Sequence, residues 1–214
     1  MRVRVKICGI TSVDDVREAI SAGADALGFV FAESPRRVDV DIAKRLISYV
    51  PPFVTTVAVF RLPSSEEVKQ IVSQCGPDVV QAEPSSVVKS AVTANTRLLP
   101  VVHEGEDDWN DVLKYANTHR DNPGLLLEAS GRGGRGVAPD WDLAAELARV
   151  TPLVLAGGLN PTNVQDAIRH VRPCAVDVSS GVERSPGSKD PDLIREFVAE
   201  VRKAETLLKD EAEQ

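Results

Sequence analysis

Short apolar runs alternate with amphipathic stretches along the whole chain. Eight runs rich in β-branched and other apolar residues predict strands, over residues 3–8, 24–31, 54–60, 78–81, 97–103, 124–127, 153–156 and 174–178. Between them, apolar residues recur at the spacing of one helix face. This second pattern predicts helices over residues 12–22, 40–50, 64–75, 85–94, 107–118, 141–150, 160–170 and 190–208.

Capping and turn residues support several of these boundaries. Gly23 stands where the first helix should stop, and Gly76-Pro77 ends the third. Ser64 and Glu67 have the spacing of a capping box, which predicts a helix start at that point. Pro161 is expected in the first turn of the seventh helix, where a missing N–H costs little.

The repeats predict an α/β fold made of one compact (β/α)8 TIM barrel with a parallel, eight-stranded barrel wall. Strands that are apolar on both faces indicate a parallel sheet covered by helices, and eight such units close into a barrel. A doubly wound open sheet is the alternative, although it usually stops at five or six strands. We assign residues 1–208 to the barrel and residues 209–214 to a charged C-terminal tail.

Charge and composition narrow the range of partners. The chain has 25 Lys and Arg against 32 Asp and Glu, a net charge of −7, which argues against a nucleic-acid or anionic-membrane binder. Its five Phe, two Trp and two Tyr are too few to suggest a base-stacking platform. We expect a small-molecule partner, and the sequence does not decide between a monomer and a homodimer.

Cysteine usage indicates a reducing compartment. The three cysteines are widely spaced and form no CxxC motif, so neither a disulfide framework nor a metal site is expected. The N-terminus lacks the pattern of a signal peptide, and no apolar stretch is long enough to span a bilayer. We therefore expect a cytoplasmic protein.

Polar residues stand where the predicted strands end. Active sites of β/α barrels lie at the carboxyl ends of the strands, so we expect these side chains to meet at one mouth. They are Lys6, Cys8, Arg36, Arg61, Gln81, Glu83, His103, Glu104, Glu128, Asp177, Ser179 and Ser180.

Glycines follow the seventh and eighth strands. Gly157-Gly158 ends one and Ser179-Ser180-Gly181 ends the next. Glycines there let backbone N–H groups approach an anion closely, and phosphates bind at this position in many barrels. Tight turns that merely link strand to helix are the alternative, but the pair on adjacent strands favours a phosphate site.

Two strand-end residues have the chemistry of acids and bases. Cys8 is either a small buried apolar residue or, with Lys6 two residues before it, a thiolate base of lowered pKa. Glu128 is either a structural carboxyl or a general acid whose pKa is raised by apolar neighbours. We expect His103 to be a surface residue beside the acidic cluster that opens the fifth helix.

The segment Gly131-Arg132-Gly133-Gly134-Arg135-Gly136 allows three interpretations. It could be a lid that closes over a substrate, a solvated loop or an RNA-binding segment. Its brevity and the acidic chain argue against RNA.

Five motifs, in order along nearly the whole chain, resemble the phosphoribosylanthranilate isomerase family of tryptophan biosynthesis. They are Lys6-Ile7-Cys8-Gly9-Ile10-Thr11, Gly23-Ala24-Asp25-Ala26-Leu27-Gly28-Phe29-Val30-Phe31, Ser34-Pro35-Arg36, Ala156-Gly157-Gly158-Leu159-Asn160-Pro161 and Val176-Asp177-Val178-Ser179-Ser180-Gly181-Val182-Glu183. The resemblance implies a (β/α)8 barrel that performs an Amadori rearrangement without a cofactor. The substrate would be N-(5′-phosphoribosyl)anthranilate and the product carboxyphenylamino-deoxyribulose phosphate.

By position, the resemblance assigns roles to residues of this chain. Cys8 matches the family's general base, and Glu128 occupies the position of its acid. Arg36 matches an arginine suited to an anionic part of the substrate, and Lys6 and Asp177 are further substrate-binding candidates. The phosphate-binding candidates are Gly157, Gly158, Ser179, Ser180 and Gly181.

The chain departs from the family pattern at strands 3, 4 and 6. The family's Leu-Leu-Asp is Leu-Leu-Glu at Glu128, its Gln-Leu-His-Gly carries Glu83 in place of His, and strand 3 is followed by Arg61. Two alternatives therefore stay open: a related isomerase or lyase for another sugar phosphate, and a non-catalytic barrel that binds a phosphometabolite.

Overall fold

The computed structural model describes residues 2–92, 95–118, 124–129 and 138–212. Eight parallel strands form a closed barrel in the order of the chain, and β8 pairs with β1 to close it. This confirms the predicted (β/α)8 barrel and excludes the open sheet. The strands are β1 Arg4–Cys8, β2 Ala26–Val30, β3 Thr55–Val59, β4 Val79–Ala82, β5 Arg97–His103, β6 Leu125–Glu128, β7 Leu153–Leu155 and β8 Ala175–Val178.

Helices surround the barrel, one after each strand. They are α1 Val13–Ala22, α2 Val40–Ile47, α3 Ser65–Cys75, α4 Ser86–Ala91, α5 Trp109–Thr118, α6 Trp141–Ala148, α7 Val164–Val171 and α8 Pro191–Ala212. Two predicted ends are confirmed in detail. Gly23 caps α1 at a φ of 98°, and Ser64 and Glu67 form the reciprocal hydrogen bonds of a capping box at the start of α3.

The seventh helix begins later than predicted. Asn160 donates its backbone N–H to the Asn163 side chain, and its own side-chain oxygen accepts hydrogen bonds from Thr162. These local bonds close residues 160–163 into a turn, so Pro161 precedes the helix that begins at Val164. The last helix runs to Ala212, four residues into the segment we assigned to the tail.

A small hairpin after β8 was not predicted. Its strands are β9 Glu183–Ser185 and β10 Ser188–Lys189, too short to show a periodic pattern. The Thr11 hydroxyl donates to the Gly187 carbonyl at 3.0 Å. A Cβ at Gly187 would lie 2.7 Å from the Pro35 carbonyl oxygen, so only glycine fits this contact. The hairpin thus packs against the loops that follow both β1 and β2.

The core has two parts. The larger lies between the barrel wall and the helices and contains fully buried residues such as Phe29, Phe197 and Leu147. The smaller fills the barrel interior and consists of Leu99, Val101, Leu126, Val154 and Ala156. This interior plug means that the mouth above it is a pocket with a floor. Among the described helices, none combines the length and apolar character needed to cross a bilayer.

Phe197→Ala should lower the free energy of unfolding by about 3–5 kcal/mol, because it leaves a cavity between α8 and the barrel wall. Phe53→Ala is the matched control, since that ring is fully exposed, and should change it by no more than about 0.5 kcal/mol. Urea unfolding followed by circular dichroism measures both. Equal losses in the two variants would contradict this account of the core.

Candidate active site

The strand registers place polar side chains in one layer above the interior plug. Val101 pairs with Leu126, and two residues further on His103 pairs with Glu128. On the opposite side of the barrel Lys6 pairs with Asp177. Because side chains alternate between the two faces of a strand, His103 and Glu128 point to the same side as the plug residues below them. The barrel geometry therefore gathers these groups at its carboxyl-terminal mouth.

One cavity of about 490 Å³ occupies this mouth. Cys8 and Glu128 line it from β1 and β6, three strands apart around the barrel. Arg36, Asp177 and Ser179 line it as well, so the structure brings five of the predicted site residues together. The remaining cavity walls come from the loop after β2 and from the ends of β3, β4 and β5.

Lys6 and Asp177 form a buried ion pair beside Cys8. The Lys6 Nζ donates to Asp177 Oδ1 at 2.9 Å, and both side chains are less than one-tenth exposed. A Cβ at Gly28 would lie 2.9 Å from the Cys8 Sγ and 3.1 Å from the Lys6 Nζ. The thiol and the ammonium therefore share the space above Gly28. Burial opposes the ammonium charge, but Asp177 and then Cys8 outweigh burial and raise the pKa of Lys6.

Of the two alternatives for Cys8, the structure does not support the one with a lowered pKa. Burial raises the pKa of the Cys8 thiol, and this effect exceeds the attraction of Lys6. Asp177 raises it further, because it is a negative charge near the thiolate. Sequence spacing indicated the ammonium, but neither the depth of the site nor the effect of Asp177 on the thiol. The resting cysteine is a thiol that a nearby positive charge can help to ionise.

Glu128 has the properties of a general acid. Burial raises the pKa of its carboxyl, and the Asp177 charge raises it further, while His103, Lys6 and Arg61 oppose these effects. The carboxyl therefore holds its proton to a higher pH than an exposed glutamate does. This direction agrees with the raised pKa that the apolar strand Leu125–Glu128 led us to consider.

Arg36 is held in place by residues that sequence reasoning did not single out. Its Nε and Nη2 donate to the two Glu183 oxygens, each at 2.8 Å. The Lys189 Nζ donates to Glu183 Oε1 at 2.8 Å and to the Ser179 carbonyl at 2.9 Å. Burial opposes the Glu183 charge, but the hydrogen bonds from Arg36 and Lys189 lower its pKa overall. Both partners follow β8 closely in sequence, and this position was the only signal that could have found them.

The stem of Arg36 also touches the loop that carries Cys8. A Cβ at Gly9 would lie 2.5 Å from the Arg36 Cδ, and Gly9 has a φ of 79°. Both the close contact and the backbone conformation therefore require glycine. Ser179 completes the contact, because its hydroxyl donates to the Cys8 carbonyl at 3.1 Å. The arginine, the cysteine loop and the loop after β8 therefore form one packed unit.

The glycine-rich ends of β7 and β8 meet as predicted for a shared site. A Cβ at Gly181 would lie 1.9 Å from the Leu159 carbonyl oxygen, which brings the turn after β8 against the loop after β7. Gly157 and Gly158 have φ values of 90° and 59°. Within the described part of the chain, neither of their N–H groups donates a hydrogen bond. Of the phosphate-binding candidates, Ser179 lines the 490 Å³ cavity, whereas Gly157, Gly158, Ser180 and Gly181 are not among its lining residues.

The surface position expected for His103 is wrong. The side chain is buried at the end of β5 and lines the cavity. Its Nε2 lies 3.4 Å from Glu83 Oε1, and the other Glu83 oxygen accepts the Leu62 N–H at 2.9 Å. The acidic residues after it do begin a helix in solvent, but His103 itself belongs to the barrel interior because it stands two residues after Val101. Counting the two-residue period from Val101 would have found it.

Two further predictions concern the glycine-rich segment and metal binding. The glycine-rich segment 131–136 lies outside the described residues, so its three interpretations stay untested. Across the described part of the chain, no group of three or more His, Cys, Asp or Glu side chains is arranged to hold a metal ion.

A thiol and a carboxyl of raised pKa line one barrel mouth, beside the glycine-rich turns after β7 and β8. These are groups that an acid–base enzyme of the (β/α)8 class can use. Comparison with known proteins makes this specific. The family model described as N-(5′-phosphoribosyl)anthranilate (PRA) isomerase matches residues 5–200. The chain belongs to this family.

Relatives and solved structures agree with that assignment. An N-(5′-phosphoribosyl)anthranilate isomerase from Herminiimonas arsenicoxydans is 40% identical over 97% of this chain and 96% of its own. The crystal structure of the Thermotoga maritima phosphoribosyl anthranilate isomerase is 37% identical, with a TM-score of 0.82 over 94% of this chain and 99% of its own. A further phosphoribosyl anthranilate isomerase, also 37% identical with a TM-score of 0.79 over the same shares, was solved with reduced 1-(o-carboxyphenylamino)-1-deoxyribulose 5-phosphate.

Lys6→Met should slow alkylation of Cys8 by iodoacetamide severalfold near neutral pH. Without the ammonium, the thiolate loses the larger of its two positive neighbours and keeps only Lys189 to oppose burial and Asp177, so the pKa of Cys8 rises further. The rate is measured by mass spectrometry of the Cys8 peptide, and Lys69→Met, at an exposed position of α3, is the control. An unchanged rate in Lys6→Met would show that the ammonium does not act on the thiol.

Proposed function

We propose that this chain catalyses the Amadori rearrangement of N-(5′-phosphoribosyl)anthranilate to 1-(2-carboxyphenylamino)-1-deoxyribulose 5-phosphate in tryptophan biosynthesis, with Glu128 as general acid and Cys8 as general base. The observation that carries this proposal is the placement of both groups on one cavity, on strands three apart, in a member of the phosphoribosylanthranilate isomerase family. The raised pKa of Glu128 supports its role, because the acid must be protonated before the reaction begins.

Ring opening is the acid's step. Glu128 gives its proton to the ribose ring oxygen, the bond from that oxygen to C1′ breaks, and the nitrogen lone pair forms a protonated imine at C1′. Glu128 is left as a carboxylate. The neighbouring positive charges of Lys6, Arg61 and protonated His103 favour that carboxylate, so the site that stores the proton also stabilises the charge left behind.

Proton abstraction at C2′ is the base's step. The Cys8 thiol first releases its proton to solvent, and the Lys6 ammonium beside it favours the thiolate that enters each cycle. The cationic imine then accepts the electrons of the broken C2′–H bond and gives an enol-type amine. Since the imine is the electron sink, the chain's own residues suffice for the chemistry that we propose.

Both catalytic groups can return to their starting states within one turnover. The thiol that took the C2′ proton can deliver it to C1′, and the Glu128 carboxylate can take the proton of the C2′ hydroxyl as the ketone forms. The net reaction moves hydrogen from C2′ to C1′ and opens the ring, with no proton gained or lost by the enzyme.

The anionic ends of the substrate have separate partners. We assign the phosphate to the corner formed by Gly157, Gly158 and residues 179–181, where backbone N–H groups are unpaired among the described residues. Arg36 then serves the anthranilate carboxylate, with Glu183 fixing two of its N–H groups and leaving the rest of the guanidinium at the cavity wall. Asp177 lines the cavity and pairs with Lys6, and we keep both as substrate-binding residues of the proposed site. Three free cysteines fit the cytoplasmic setting that we propose for this step.

Cys8→Ser and Glu128→Gln should each lower kcat by about 100- to 10,000-fold, the usual cost of removing a general base or acid. KM should change little, because neither side chain is assigned to the phosphate or the carboxylate. Steady-state kinetics with phosphoribosylanthranilate generated in place, followed by loss of substrate fluorescence, measure both constants. Cys75→Ser is the control. Near wild-type kcat in both variants would contradict the assigned roles.

Gly181→Ala should raise KM for the phosphorylated substrate at least tenfold while the protein stays folded. The added Cβ would overlap the Leu159 carbonyl oxygen and push the loops after β7 and β8 apart. Gly76→Ala is the matched control, because it adds a Cβ at a positive φ with nothing within 4 Å. Binding of inorganic phosphate by calorimetry provides a second readout. Unaltered KM and phosphate affinity in Gly181→Ala would remove the phosphate from this corner.

A further inference from the structure

A second charged group lies next to the proposed acid, on the side of the cavity away from Cys8. His103 and Glu128 are register partners on β5 and β6, so their side chains emerge from neighbouring backbone positions toward the same cavity. His103 is 7% exposed, and its Nδ1 is buried with no hydrogen-bond partner in the described structure. Among the described residues, the hydrogen-bond contact of this ring is made through Nε2.

Glu83 is the residue that holds it. One carboxylate oxygen faces the His103 Nε2 at 3.4 Å, and the other accepts the Leu62 N–H at 2.9 Å. The backbone of His103 is held as well, because its N–H donates to the Asp107 carboxylate at 2.7 Å. The imidazole thus lies between the Glu83 carboxylate, which follows β4, and the proposed acid Glu128 on β6. A positive charge on the ring has a negative partner on one side and Glu128 on the other.

We propose that His103, held by Glu83, is a positioning residue for Glu128, and that its imidazolium stabilises the carboxylate left when Glu128 gives up its proton. This inference rests on the proposed function of Glu128 as the acid. His103 itself transfers no proton to substrate and acts only through its charge and its fixed place. Within the described residues, the other charged groups facing this pair are Arg61, Glu106, Asp177 and Lys6.

The direction of the charge effects agrees with the geometry. The hydrogen bond to Glu83 raises the pKa of His103, burial opposes it, and the Glu128 charge raises it again. The imidazolium is therefore present below the ordinary histidine pKa and is lost as pH rises through the raised pKa of the folded protein. In return, His103 lowers the pKa of Glu128 against the larger effects of burial and Asp177. Each group favours the charged form of the other.

Histidine titration tests the coupling without relying on catalysis. In protein labelled with 15N-histidine, NMR should show a His103 pKa above the ordinary histidine value. That pKa should fall in Glu83→Gln and fall also, by a smaller amount, in Glu128→Gln. The His170 signal serves as the internal reference, because that ring pairs with Asp142 at 2.7 Å on the surface, away from the cavity. A His103 pKa that is the same in Glu128→Gln as in the wild type would overturn the proposal.

Kinetics test the consequence for the acid. In His103→Gln, the limb of the kcat/KM profile that belongs to Glu128 should move to higher pH, and kcat should fall about tenfold while KM is kept. The Cys8 limb is located independently from the pH dependence of its alkylation and should not move. His170→Gln should match the wild type. An unmoved Glu128 limb would refute the role of His103. Absence of wild-type turnover would refute the proposed function instead, and the histidine titration would still decide the coupling.

Discussion

The ion pair of Lys6 and Asp177 is the interaction on which the rest of the site depends. It joins the first and last strands at the seam where the barrel closes, and both side chains are buried there. Loss of either partner would leave an uncompensated charge inside the barrel, which is among the costliest changes a fold can suffer. The same pair sets the environment of Cys8, because the ammonium favours the thiolate while the carboxylate and burial oppose it. The same ion pair therefore lies where the barrel closes and influences the reactivity of Cys8.

The mouth above this seam has two sides with different constructions. On the side of β1, β2 and β8, the buried charges of Arg36, Glu183 and Lys189 tie three loops together around Cys8. On the side of β3 to β5, Glu83 joins the Leu62 backbone to His103. Here lie two of the chain's departures from the family pattern, Glu83 and Arg61. Glu83 contacts His103, which is the register partner of Glu128, so this third departure from the family pattern lies beside the other two.

Sequence reasoning found the barrel because its signal is repeated eight times. It found Cys8, Asp177 and the glycine corners because strand ends and family motifs mark them. It missed features that depend on burial, on local hydrogen bonds or on elements too short to show a pattern. The burial of His103 required counting the strand period to its last residue, the hairpin at Glu183–Ser185 was too short to show a period, and the bonds made by Asn160 delayed the seventh helix. Burial and the Asp177 carboxylate raise the pKa of Cys8. The sequence around Cys8 shows neither effect.

The central claim is that the Glu128 carboxyl is the general acid of the isomerase reaction. It implies that the cavity fits a glutamate side chain at this position. The most direct measurement is kcat for phosphoribosylanthranilate in the wild type and in Glu128→Asp. The account predicts turnover by the wild type and a kcat about 10- to 100-fold lower in Glu128→Asp, because the shorter side chain withdraws the proton by about 1 Å from a pocket built around glutamate. Equal or higher activity in Glu128→Asp, or no turnover by the wild type, would contradict it.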